Sequence, residues 1–103
     1  MPKLIRDRIP EIIRAEGRPC PTRILTEPEY RAALLHKLVE EATEARDAPP
    51  AELVNELADV LEVLDALTAA FGLTRAGIEA VQAQKREARG GFAERVWWEP
   101  EGE

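Results

Sequence analysis

Glu40, Glu41 and Glu44 form one acidic run and Glu56 and Asp59 a second, with spacings of three and four residues inside the runs. On an α-helix that spacing puts side chains on one face with Cβ atoms about 5–6 Å apart, where like charges repel by about 0.2–0.5 kcal/mol per pair. A hard divalent cation relieves the repulsion, since Mg²⁺ and Mn²⁺ take oxygen ligands, and Mg²⁺ in particular keeps several of its waters. The ligand set expected from the spacing is Glu41, Glu44, Glu56 and Asp59, with Glu40 pointing further out. Acidic stretches of this kind ordinarily serve as solvated helix faces. Two features set these apart: they border the apolar arc of their helices instead of lying opposite it, and only Lys37 is near enough in the first run to neutralise them.

The runs must be brought together by the elements that carry them. Between them lies Ala45-Arg46-Asp47-Ala48-Pro49-Pro50, where two prolines stop one helix and the second suits the first turn of the next. A helical hairpin follows. Glu41 lies six residues before Asp47 and Glu56 six after Pro50, so at 1.5 Å of rise per residue both stand roughly 9 Å above the turn. At about 100° per residue, Leu34, Leu35, Leu38, Val39 and Ala42 make the apolar arc of the first hairpin helix, flanked by Lys37, Glu41 and Glu44. On the second, Leu53, Leu57, Val60, Leu61, Leu64 and Leu67 are the expected buried face, with Glu52, Glu56, Asp59 and Val63 as an adjacent stripe.

Around the hairpin the punctuation is clear. Asp7 to Glu16 reads as a first helix with Pro10 in its opening turn and Gly17 as its stop, after an extended Lys3-Leu4-Ile5-Arg6. Thr26 and Glu29 have capping-box spacing and open a helix reaching about Arg46. The next is expected from Pro50 to Phe71, closed by Gly72, and Thr74 caps a last one from Arg75 to Arg89 with Ile78, Val81 and Ala88 inward and Gly90-Gly91 ending it. Arg23-Ile24-Leu25 and Phe92 to Trp98 have strand propensity and suggest a minor two-stranded ribbon. Trp97 and Trp98 are expected to pack on the helices, and Pro100 to Glu103 to form a disordered tail.

The expected class is all-α, in one domain over residues 1–103: an N-terminal helix and arm to residue 25, a helical core over 26–89, and a C-terminal strand and tail. With 45% hydrophobic residues and only 103 positions, the core is modest and a homo-oligomer is expected. The net charge of -6 argues against nucleic acid and anionic membrane as partners, and no apolar run is long enough to span a bilayer. Cys20 has no partner for an intrachain disulfide, which with the lack of a signal-peptide pattern suggests a cytoplasmic protein. His36 points away from the apolar arc and is expected at the surface.

Basic residues are placed to complete a phosphate site. Lys85 and Arg89 are four apart on the last helix, one a compact charge and the other a planar fork that binds two phosphate oxygens. Cations at a helix C-terminus also complement its dipole without any ligand. Arg6, flanked by Lys3 and Arg8, is a further candidate contact.

With these motifs assembled, the chain resembles the all-α nucleoside triphosphate pyrophosphohydrolases, the MazG-like superfamily that includes phosphoribosyl-ATP pyrophosphohydrolase. The family hallmark is EExxE followed by ExxD, matched by Glu40-Glu41-Ala42-Thr43-Glu44 and Glu56-Leu57-Ala58-Asp59 across eleven intervening residues. Lys3-Leu4-Ile5-Arg6-Asp7-Arg8-Ile9-Pro10 looks like the KLVRDKIP opening of its phosphoribosyl-ATP pyrophosphohydrolase-like branch. Lys85 with Arg89-Gly90-Gly91-Phe92 looks like that branch's close. The resemblance implies Mg²⁺, with Mn²⁺ as a substitute, on Glu41, Glu44, Glu56 and Asp59, triphosphate contacts from Lys85 and Arg89, a dimer or tetramer in which the helical hairpin completes a four-helix bundle, and cleavage of a nucleotide between its α- and β-phosphorus. Glu40 or Glu41 is the expected base for the attacking water. The apolar Val60-Leu61-Glu62-Val63-Leu64 departs from the polar and aromatic continuation of true phosphoribosyl-ATP enzymes, which points to nucleotide-pool housecleaning over histidine biosynthesis. A helical interaction module with a vestigial site is the non-enzymatic alternative. A di-iron bundle is disfavoured because each run lacks the Glu-x-x-His pair.

Overall fold

In the computed structural model, which describes residues 2–101, the chain is all-helical. Helix α1 spans Ile9–Ala15, α2 Glu27–Asp47, α3 Leu53–Ala70 and α4 Arg75–Arg89, with a single 3₁₀ turn at Pro50–Glu52 leading into α3. These bounds fall within about two residues of the expected ones except at the start of α3, where Pro50 opens a 3₁₀ turn instead of the α-helix itself. The chain divides into two compact units, one ending at Gly72 and the other beginning at Leu73.

Local chemistry explains where each helix of the first unit starts and stops. Thr26 Oγ1 accepts from the Glu29 amide at 3.4 Å while Glu29 Oε1 accepts from the Thr26 amide at 2.9 Å, which completes the capping box of α2. Arg23 donates to the same carboxylate through both terminal guanidinium nitrogens, Nη1 and Nη2, at 3.1 and 3.2 Å. Those two sets of donors hold the Glu29 carboxyl down to about 2, the Arg23 bond being the larger influence. At the far end of α3, the chain turns at Gly72 with φ +67, a left-handed value that an L side chain rarely adopts. Arg31 of α2 donates through Nε to the Ala70 carbonyl at 3.0 Å and lies over the Phe71 ring at 5.2 Å. One arginine thereby satisfies an orphan carbonyl at the α3 terminus and ties the open end of the hairpin.

Helices α2 and α3 pack on each other as the expected hairpin, but the seam is rotated from the expected arc towards the acids. Leu34 and Val63 are the buried apolar residues of the described chain, at 3% and 8% exposure, and Glu41 is buried with them. Lys37, Leu38 and Ala45 on α2 and Glu56, Asp59, Val60 and Leu67 on α3 are half-buried. The seam therefore runs along the acidic flanks. The arc expected inside is largely bare: Leu35, Val39, Leu57, Leu61 and Leu64 are all exposed. Two helices can bury only one stripe of each against the other, and here that stripe joins the acidic flank to one edge of the expected arc, Leu34 and Leu38 on α2 and Val60 and Leu67 on α3.

The second unit holds α4 and the C-terminal segment. Thr74 Oγ1 accepts from the Gly77 amide at 3.0 Å and caps α4 as its spacing predicts. Ile78 and Val81 are about half exposed and Ala88 is exposed, so none is buried as expected. The two-stranded ribbon is not formed, and no strand occurs among the described residues. Pro19 and Pro21 remove backbone donors just before Arg23. Within the other segment the chain turns, with Arg95 at φ 60 and its amide bonded to the Phe92 carbonyl at 3.1 Å. Trp97 and Trp98 are 80% and 91% exposed, not packed on the helices. The tail expected at Pro100 to Glu103 lies partly outside the described residues.

Candidate metal centre

The hairpin geometry brings acids from both runs to one place. Glu41 from α2 and Glu56 and Asp59 from α3 each offer a carboxylate oxygen, and these oxygens lie within 4.8 Å of one another. Equal height above the turn accounts for the meeting, as the residue count from Asp47 and Pro50 requires. Glu41 is only 8% exposed, while Glu56 and Asp59 are half-buried.

Hydrogen bonding leaves this cluster short of partners. Glu41 Oε2 and Glu56 Oε2 are buried and accept no hydrogen bond, one on each helix. Such orphaned acceptors carry a desolvation cost of about 1–3 kcal/mol each, more when charged. Burial, then the adjacent Glu44 carboxyl, raises Glu41 above the usual carboxylate range, and the Lys37 ammonium acts in the opposite sense. Orphaned oxygens on facing helices, gathered within a few ångströms, are what a cation-binding carboxylate set requires. The residues therefore fit a divalent ion.

Among the described residues, two cations touch the cluster or its flank. Lys37 Nζ bridges Glu40 Oε2 at 3.2 Å and Glu41 Oε1 at 3.4 Å from the same helix. Arg6 Nη2 reaches across from the N-terminal arm to Asp59 Oδ1 at 2.7 Å. The first was expected from the helical count. The second was not: Arg6 was read as a phosphate contact, and 53 residues of separation leave no local pattern that would pair it with Asp59.

The remaining candidates are placed as follows. Glu44 is exposed and stands beside Glu41, outside the group of three whose oxygens converge. Glu40 is half-buried against Lys37 and also outside that group. Lys85 and Arg89 are exposed on α4, in the second unit. His36 is exposed, as expected, and Cys20 is a free, half-buried thiol whose backbone carbonyl accepts from Arg14 at 2.6 Å. No helix among the described residues is long and apolar enough to cross a membrane.

Comparison with known proteins adds a partial likeness. No family model matches the chain. No solved structure matches it either. A Mycolicibacterium smegmatis protein described as uncharacterized is 56% identical over 48 residues, a stretch covering 47% of this chain and 49% of that protein. The match spans about half of either protein, and its description assigns no activity.

Proposed function

We propose that the chain is a Mg²⁺-dependent nucleoside triphosphate pyrophosphohydrolase of the MazG-like kind, releasing pyrophosphate and a nucleoside monophosphate, with Mn²⁺ as a substitute ion. The observation that carries the reading is the convergence of Glu41, Glu56 and Asp59 with two buried acceptor oxygens left without a donor. Mg²⁺ is usually bound through one or two carboxylates, with waters and phosphate oxygens in its other positions, so this group of three supplies more than enough protein ligands and leaves room for substrate phosphates.

In this reading Glu41, Glu56 and Asp59 would hold the ion, with Glu44 the fourth ligand that the resemblance implies. When bound, the ion supplies Lewis-acid polarisation of phosphate oxygens and acidification of a water. Glu40 lies one residue from Glu41 and outside the converging group, so it is left to accept the proton of the attacking water. Lys37 holds both Glu40 and Glu41 in place from one helical turn away. For Lys85 and Arg89, a role as triphosphate contacts rests on the family resemblance alone.

The bare leucine faces support a homodimer as part of the proposal. Leu35 and Val39 on α2 and Leu57, Leu61 and Leu64 on α3 are exposed apolar side chains, and at about 100° per residue they lie on helix faces turned away from the acids. A second hairpin laid on these faces completes a four-helix bundle without disturbing the cluster. The faces also suit an interaction module with no activity. A pyrophosphate-release screen across common and modified triphosphates and phosphoribosyl-ATP, with Mg²⁺ or Mn²⁺, separates the readings. Release from a triphosphate that ceases on chelation supports the proposal. Release from phosphoribosyl-ATP alone assigns the histidine pathway, and no release from any substrate favours the module.

A further inference from the structure

The two cations that touch the cluster are not equivalent. Lys37 is largely shielded, with 17% of its side chain exposed, and belongs to the same helix as the carboxylates it bridges. Arg6 comes from a different part of the chain. Its side chain is 57% exposed and its partner Asp59 39% exposed, and their contact is one hydrogen bond from Nη2 to Oδ1. Arg6 sits just before α1, where its carbonyl accepts from the Ile9 amide at 3.1 Å, and residues 2–6 ahead of that turn have no regular structure. The guanidinium is thus fixed to the fold by its backbone and held at Asp59 by a solvent-accessible ion pair.

From this geometry, and resting on the metal-site reading above, we infer that Arg6 is the exchangeable counter-cation of the site. It occupies Asp59 when no ion is there, yields Asp59 when a divalent ion binds, and then presents its guanidinium to the phosphate groups of a ligand. The independent sign that the cluster takes a ligand is the buried, partnerless Oε2 of Glu41, a residue more than nine-tenths buried. Neither Lys37 nor Arg6 reaches that atom, so the chain's own cations neutralise the cluster incompletely. A doubly charged ion between Glu41, Glu56 and Asp59 would confront a guanidinium already bonded to one of its ligands, and the two positive charges repel at short range. Of the two partners of Asp59, the exposed guanidinium is the one held weakly enough to leave. Once free, Arg6 is a planar donor fork beside a metal-bound phosphate, flanked by Lys3 and Arg8 in a chain of net charge -6 that otherwise repels polyanions. The ligand class is a diphosphate or longer phosphate chain.

The test compares the intact chain with Arg6→Gln by calorimetric titration, first with Mn²⁺ alone and then with inorganic pyrophosphate at saturating Mg²⁺. The expected result is a pair of opposite shifts. Arg6→Gln binds Mn²⁺ about two- to fivefold more tightly, the range that loss of an exposed ion pair allows, and binds pyrophosphate at least fivefold more weakly. Amide exchange at residues 3–8 of the unmodified chain quickens when Mn²⁺ is added. Unchanged or weaker Mn²⁺ binding by Arg6→Gln, or undiminished pyrophosphate binding, overturns the exchange. Asp59→Asn separates this failure from failure of the site. Mn²⁺ binding by the unmodified chain that is lost in Asp59→Asn keeps the site, whatever Arg6 does, whereas no Mn²⁺ binding in either removes the site and the exchange together.

Discussion

Glu41 concentrates the physical problem of this molecule in one side chain. Its carboxylate is buried, raised in pKa by burial and by Glu44, and left with one oxygen unbonded. In a protein with so small a buried core, such a group is an expensive component unless something compensates it. Replacing Glu41 with Gln removes the buried charge, so the metal-free variant is expected to melt at least as high as the unmodified chain while losing pyrophosphate release by a hundredfold or more. Glu56→Gln and Asp59→Asn are expected to lose turnover similarly with unchanged helicity, as read by circular dichroism. Near-normal rates in two of the three would remove the site. Mass action gives the complementary signature: at about ten times its Kd, an ion that binds only the folded chain adds about 1.4 kcal/mol, a rise in Tm of about 5–10 °C for a domain of this size. Thermal melts of Glu41→Gln and Glu56→Gln should show little of that rise.

At the scale of the element, the helices are specified by their ends. Thr26→Ala removes the hydroxyl that accepts from the Glu29 amide and is expected to cost about 1 kcal/mol, measured by urea unfolding. Glu29 supplies a pH-dependent part of the same cap. Its folded pKa of about 2 is below the unfolded value, so the folded state keeps the charge to lower pH. The stabilisation is fully present above the unfolded carboxyl range and is lost as pH falls towards 2. Unfolding curves of the chain and of Glu29→Gln are therefore expected to differ most near neutrality and to converge in acid. Caps, the Pro49-Pro50 break and the three-and-four spacing of the acids were all legible because each acts within a few residues. How far the seam turns from the apolar arc towards the acids was not. Helical periodicity shows that α2 and α3 each carry an apolar arc and an acidic flank, but both can form a seam, and the choice depends on packing between helices. The Arg6 contact with Asp59 was hidden for the same reason, and the ribbon failed because strand propensity at Val96 and Trp97 supplies no partner edge.

For the molecule as a whole, the seam has a consequence. By closing along the acids, the hairpin gathers its chemistry inside and leaves Leu35, Val39, Leu57, Leu61 and Leu64 to be covered by something else. A second copy is the economical cover for a small helical chain, and sedimentation equilibrium is expected to show a dimer. Leu57→Glu combined with Leu61→Glu is expected to shift that dimer to monomer by opposing like charges across the apolar stripe. A monomer in the unmodified chain at micromolar concentration would argue instead that these leucines meet a different partner.

The most direct measurement is anomalous diffraction from crystals of the chain grown with Mn²⁺. The account predicts an anomalous peak within coordination distance of carboxylate oxygens from Glu41, Glu56 and Asp59. A clear map with no peak between those three side chains, from crystals whose dissolved protein still releases pyrophosphate in Mn²⁺, would contradict it.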